Sequence, residues 1–164
     1  MSLYIKWGGL ALMMLSSLSV AKGYREYVAR RLSEQESFIS LIKHLEGYIR
    51  RYLMTPSEAL SDFTDENLSR LGFLEKTSAG IPLSEAFDMI SDKLSVGDVT
   101  KTAVSEIFAA ISSGYKDEVL SAIGDGARSL EKALEEEREA LTKNERVTSV
   151  VLVAAALGVF ILFV

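Results

Sequence analysis

Hydrophobic and polar positions follow two regimes along the chain: unbroken apolar runs at both ends, and apolar residues recurring every three or four positions between them. Val147 to Val164, VTSVVLVAAALGVFILFV, contains no charged residue. As a helix it reaches about 27 Å, close to the ~30 Å hydrocarbon thickness of a bilayer, and it predicts a transmembrane helix. The segment before it, Ser129 to Arg146, is built of strong helix formers without Gly or Pro, so the helix is expected to continue from water into lipid without a break. Met1 to Ala21 is the second apolar run, with Lys6 near its start and Tyr4 and Trp7 suited to an interface. It predicts an N-terminal anchor ending at residue 22. Ser19-Val20-Ala21 also has the small-x-small form of a signal-peptide cleavage site, which is the competing reading.

Between the ends the period is helical throughout. Val28, Leu32, Phe38, Leu41, Ile42, Leu45, Tyr48, Ile49, Tyr52 and Leu53 form one face of a long amphipathic helix over 24–53. Thr55-Pro56 starts a short helix over 57–63, with the hydroxyl as cap and proline at the first helical position. Another is expected from Thr64 or Asp65 through Leu68, Leu71, Phe73 and Leu74 to Ala79, where Gly80 stops it. Pro82 opens a helix over 82–94, Gly97-Asp98 breaks and caps the next over 99–111, and Ser112-Ser113-Gly114 closes it. The last helix starts at Lys116, with Val119, Ile123, Ala127, Leu130, Leu134 and Leu141 as its inward stripe. Gly124 and Gly126 mark a bend or a close helix contact within it. No stretch alternates long enough to make a sheet. The expected fold is all-α: a bundle of about six helices, residues 23–146, between spans at 1–22 and 147–164.

Charge adds direction to this picture. All 23 Asp and Glu and 17 of the 18 Lys and Arg fall between Lys22 and Arg146, leaving −6 there. An acidic middle argues against nucleic acid, which needs a basic face. Lys22, Arg25, Arg30 and Arg31 follow the first apolar run, and Lys143 and Arg146 precede the second. By the positive-inside rule both clusters are cytoplasmic, which makes the middle domain cytoplasmic, points both termini outward and favours an uncleaved anchor. The chain has no cysteine, hence no disulfide, thiolate nucleophile or cysteine metal site.

The parts of an enzyme are missing from the sequence. It has no Gly-rich phosphate loop and no HExxH, and its single histidine, His44, has no second histidine or cysteine to act with. Glu135-Glu136-Glu137 wraps around a helix as a solvated face does, and no cofactor or metal is expected. TPSEALSDF from Thr55 and IPLSEAFDMISD from Ile81 resemble each other, either as a duplicated helical hairpin or because helix starts favour Pro, Ser and Glu.

Three segments in order carry a family likeness: HLEGYIRRYLMTPSEAL (44–60), similar to LxxLxxEIxYxxTPLxEA; SGYKDE (113–118), similar to LGxxDxxxQ; and KNER (143–146), similar to KNEK. Ser113 stands for the leucine of the second motif, Ser121 for its glutamine, and the TP element is displaced by one residue. The chain resembles, over nearly its full length, the stage III sporulation protein AB family of endospore-forming bacteria. GIPLSEAF (80–87) in turn looks like the GxPLxEAL element of inner-membrane platform proteins of type II secretion and type IV pilus systems.

That resemblance implies a non-enzymatic platform in the mother-cell membrane facing the forespore, within a channel or secretion complex. Its cytoplasmic bundle would dock a secretion-type ATPase while its spans hold other channel components. The alternatives are a self-associating scaffold without an ATPase and an exported, tail-anchored domain. The candidate partner-binding or structural residues are Thr55, Pro56, Glu58, Gly80, Pro82, Glu85, Gly114, Asp117, Lys143, Asn144, Glu145 and Arg146. Asp117 has a simpler reading as a helix cap, because a carboxylate in a first turn meets the helix dipole.

Overall fold

The computed structural model describes the backbone of residues 2–52, 56–113 and 116–163, and the side chains of 19, 22–51, 58–112, 117–141 and 143. Over these residues the chain is all-helical, with seven helices and no strand: α1 (Ser2–Tyr52), α2 (Pro56–Ser61), α3 (Glu66–Arg70), α4 (Phe73–Ser78), α5 (Leu83–Ser91), α6 (Asp98–Ser113) and α7 (Lys116–Phe163).

Helix α1 differs from the expectation of a separate anchor and bundle helix, because its 51 residues run unbroken past Gly23. A lone glycine costs about 1 kcal/mol in a helix, too little to end one surrounded by good helix formers. Helix α7, 48 residues long, is continuous as expected. Among the described residues no helix is long and apolar enough to cross a membrane. The spans expected over 1–22 and 147–164 fall on residues whose side chains, apart from Ser19 and Lys22, lie outside that set.

The single helix expected over 64–79 is two. Asp65 caps α3 by accepting from the Leu68 N–H at 2.9 Å, and Gly72 then turns the chain at φ 75 before α4. Leu68 and Phe73 are five residues apart, which on one helix would set them about 140° apart. The left-handed turn lets both point inward, and both are fully buried. Gly80 ends α4 as expected, at φ 89. Its N–H donates to the Thr77 carbonyl at 3.0 Å and that of Ile81 to Lys76 at 3.2 Å, the paired closure that glycine permits at a helix end. Pro82 is the residue before α5 rather than its first, and α5 stops at Ser91 rather than Leu94. Leu94 and Val96 are buried from the connecting loop instead.

The core is centred on four phenylalanines from four helices. Phe38 of α1 meets Phe87 of α5 edge-on at 5.4 Å and Phe73 of α4 at 6.1 Å, while Phe73 stacks on Phe108 of α6 at 5.7 Å. Around them α1 packs on α7, α7 on α6 and α6 on α5, with α2 to α4 closing the remaining side. The inward stripe of α7 is as expected: Val119, Ile123, Ala127, Leu130 and Leu134 are buried, whereas Leu141 is half-buried.

Gly126 is a close helix contact rather than a bend. A Cβ there would lie 2.5 Å from Ile107 Cδ1 of α6, whereas one at Gly124 would meet only the Arg128 guanidinium, at 4.0 Å. Gly126→Ala is therefore expected to lower stability by about 1–3 kcal/mol through overpacking. Gly124→Ala should be neutral or gain up to about 1 kcal/mol. Denaturant midpoints of the two variants in mild detergent check the contrast, and equal midpoints would refute the close contact.

Candidate functional site

Polar side chains set the direction of the bundle. Arg31 Nε of α1 lies 2.6 Å from Glu137 Oε1 of α7, in ion-pair contact though off the line of a hydrogen bond. Arg138 pairs with Glu36 and Lys43 with Glu131. Gln35 Nε2 donates to the Leu130 carbonyl at 3.4 Å. From Arg31–Glu137 to Lys43–Glu131 an advance of twelve residues along α1 is a retreat of six along α7, so the two helices run antiparallel. Partly exposed pairs of this kind contribute about 0–1 kcal/mol each, so their value here lies in marking register more than in stability.

Two ends follow from that register. Lys22 stands nine residues before Arg31 and Arg146 nine residues after Glu137, so both apolar runs lead away from that pair on the side opposite Tyr52 and Lys116. At the opposite end α1 finishes at Tyr52, α2 begins at Pro56 and α7 begins at Lys116. Between the bundle and residues 22 and 146, α1 and α7 form a neck about 13 Å long. There Lys22 to Tyr27, Ala29 and Arg30 are exposed on α1, and Arg138 to Ala140 on α7.

The candidate residues divide between these places. Pro56 and Glu58 of α2 and Asp117 of α7 share the far end, where the side chains of Glu58 and Asp117 are exposed beside exposed Glu118. Lys143 is exposed on α7 at the neck end, with Asn144, Glu145 and Arg146 following on the same helix. Gly80, Pro82 and Glu85 form the α4–α5 turn and the first turn of α5. Thr55 and Gly114, and the side chains of Pro56, Asn144, Glu145 and Arg146, lie outside the described residues. The candidates therefore make no single site. The likeness between the TP and GIP segments is seen in the structure as two helix starts, each with its glutamate exposed (Glu58, Glu85) and its alanine buried (Ala59, Ala86).

His44 is a packing residue. Its Nε2 lies 2.9 Å from the Ala59 carbonyl, and its ring sits 4.7 Å from Tyr48 and 5.0 Å from Phe63, tying α1 to α2. Among the described residues no group of three His, Asp or Glu is placed to hold a metal ion. Sequence reasoning missed Glu34, a buried carboxylate that accepts the Ser95 N–H at 2.6 Å and pins the α5–α6 corner to α1. It also missed the Asn67 amide, which donates to Ser33 Oγ at 2.8 Å and Ser37 Oγ at 3.0 Å, pinning α3. Glu34 stands one turn before Phe38 on the core face, so the helical period carried that signal.

Set beside family models, curated proteins and solved structures, the chain matches none.

Proposed function

We propose that the chain is a non-enzymatic membrane platform, held by two spans and docking a cytoplasmic motor ATPase at the end of its bundle away from the bilayer. The observation that carries this reading is the antiparallel register of α1 and α7, marked by Arg31–Glu137 and Gln35–Leu130. Two apolar runs that leave the same end can enter one bilayer together. Paired helices also satisfy every backbone group internally, as lipid requires. The ordered likeness to the stage III sporulation protein AB family supports the place of work, the mother-cell membrane facing the forespore. The far end, with Asp117 and Glu118 exposed, offers acidic charge to a basic patch on a motor.

Topology tests the membrane half. A reporter fused after Arg146 is expected to read cytoplasmic and one after Val164 external, with the chain resisting alkaline carbonate extraction. The opposite reporter pattern would overturn the orientation. Asp117→Asn tests the docking half, since it removes the charge and keeps much of the capping geometry. If Asp117 meets the motor, ATPase binding falls by about 2–5 kcal/mol with unchanged melting, read by co-purification from sporulating cells; as a helix cap, the simpler reading, the substitution changes little in either. Unchanged co-purification assigns Asp117 to helix capping alone, and absence of any ATPase from the wild-type complex favours the self-associating scaffold.

A further inference from the structure

Four large hydrophobic side chains are half exposed or more among the described residues: Tyr24 at 55%, Tyr27 at 51%, Met89 at 50% and Val99 at 78%. Three of the four lie at one end. Tyr24 and Tyr27 are on the neck of α1, one turn apart. Val99 is brought to them by the α5–α6 corner, because the Tyr27 hydroxyl donates to the Ser95 carbonyl at 3.4 Å while Glu34 holds the Ser95 N–H. A Cβ at Gly97 would lie 2.8 Å from Arg31 Nη2, so the corner is seated against α1 along its length. A loop residue 61 positions from Glu34 in sequence, Ser95, is thereby held at α1, and α6 starts three residues after it.

We infer that this end of the bundle rests on an anionic lipid surface, with the two tyrosines and the α5–α6 corner as its contact face. The inference depends on the membrane reading above. Tyr24 stands about 3 Å along the helix from Lys22 and Tyr27 about 8 Å, against a headgroup layer about 5–7 Å deep. Helix side chains lean toward the N-terminus, which for α1 is toward the bilayer. Tyrosine is the side chain that favours such an interface, with an apolar ring and a polar tip. The corner adds Lys93 and Lys101 on either side of Val99, and their long stems extend the reach of their charge. Asp92 and Asp98 stand at the same corner and offset those lysines, so the excess positive charge comes from Lys22 and Arg30 on one neck helix and Lys143 on the other, with Glu26 and Glu139 opposing them. A surface that is basic and aromatic together fits an anionic leaflet better than a second acidic bundle.

The absence of cysteine makes the test clean. The full chain carrying Val99→Cys or Met89→Cys, each with a nitroxide label, is reconstituted into vesicles of phosphatidylglycerol and phosphatidylcholine. Collision with a water-soluble paramagnetic reagent is then measured. The expected result is several-fold lower accessibility at position 99 than at position 89, with the difference shrinking in phosphatidylcholine alone. Lys93→Gln and Lys101→Gln should each weaken the contact about fivefold. Equal accessibility at both positions, in chains that resist carbonate extraction, overturns the contact while leaving the spans in place. Shielding at 99 that is indifferent to lipid charge and to both lysines also overturns it. Chains that carbonate extracts from the vesicles overturn the membrane reading itself, and this inference with it.

Discussion

Phe38→Ala is expected to lower stability by about 3–5 kcal/mol, among the largest effects of a single truncation in this bundle. The ring is fully buried and, like that of Phe108, touches the other three phenylalanines, at 5.4, 6.1 and 6.4 Å. Its loss removes the transfer free energy of the ring and three aromatic contacts worth about 0.5–1.5 kcal/mol each. It also leaves a cavity between α1, α4, α5 and α6 that no one helix can close by shifting. A domain of this size has about 5–15 kcal/mol in total, so the variant should be marginal at physiological temperature. Urea unfolding of the full chain in mild detergent, followed by far-ultraviolet circular dichroism, measures it. A loss below about 1 kcal/mol would mean that the four rings do not form one core.

Leu130→Ala is expected to cost about 2–5 kcal/mol, and Leu141→Ala, on the same stripe of the same helix, below about 1 kcal/mol. Leu130 is 1% exposed among α1 and α6, whereas Leu141 is half-buried, eleven residues further along α7 toward the neck end. The backbone carbonyl of Leu130 keeps its bond from Gln35 in the variant, so the loss reports packing alone. Both substitutions remove the same atoms, and the ratio of their effects therefore measures where the bundle ends and the neck begins. Equal costs would extend the core to the membrane end.

Several features were legible because they are local. The period of three and four in Val119, Ile123, Ala127, Leu130 and Leu134 named the buried face of α7, since a helix presents such positions on one side whatever it packs against. Gly80 announced a helix end because only glycine enters φ 89 without cost. Gly72 has the same chemistry but gives no such signal, because the apolar residues on both sides of it, Leu68, Leu71, Phe73 and Leu74, read as one helix. The inward turning of Leu68 and Phe73 together is decided by the core they share, which lies on α1 and α6. Among the candidate site residues, helix-start chemistry was legible for Asp117, Pro56 and Pro82, but not that Asp117 and Lys143 stand at opposite ends of the bundle.

By itself, then, the sequence determined an all-helical chain with no sheet, the apolar runs at both ends and the buried faces of its long helices, each set by propensity and period within a few turns. Only the tertiary structure decided that α1 runs unbroken past Gly23, that α1 and α7 lie antiparallel with both apolar runs leaving one end, and that Glu34 seats the α5–α6 corner against the neck. Those outcomes depend on contacts between residues 61 to 106 positions apart, as in Glu34–Ser95 and Arg31–Glu137. The free energy of such contacts comes from burial and charge pairing across helices, which no local pattern encodes.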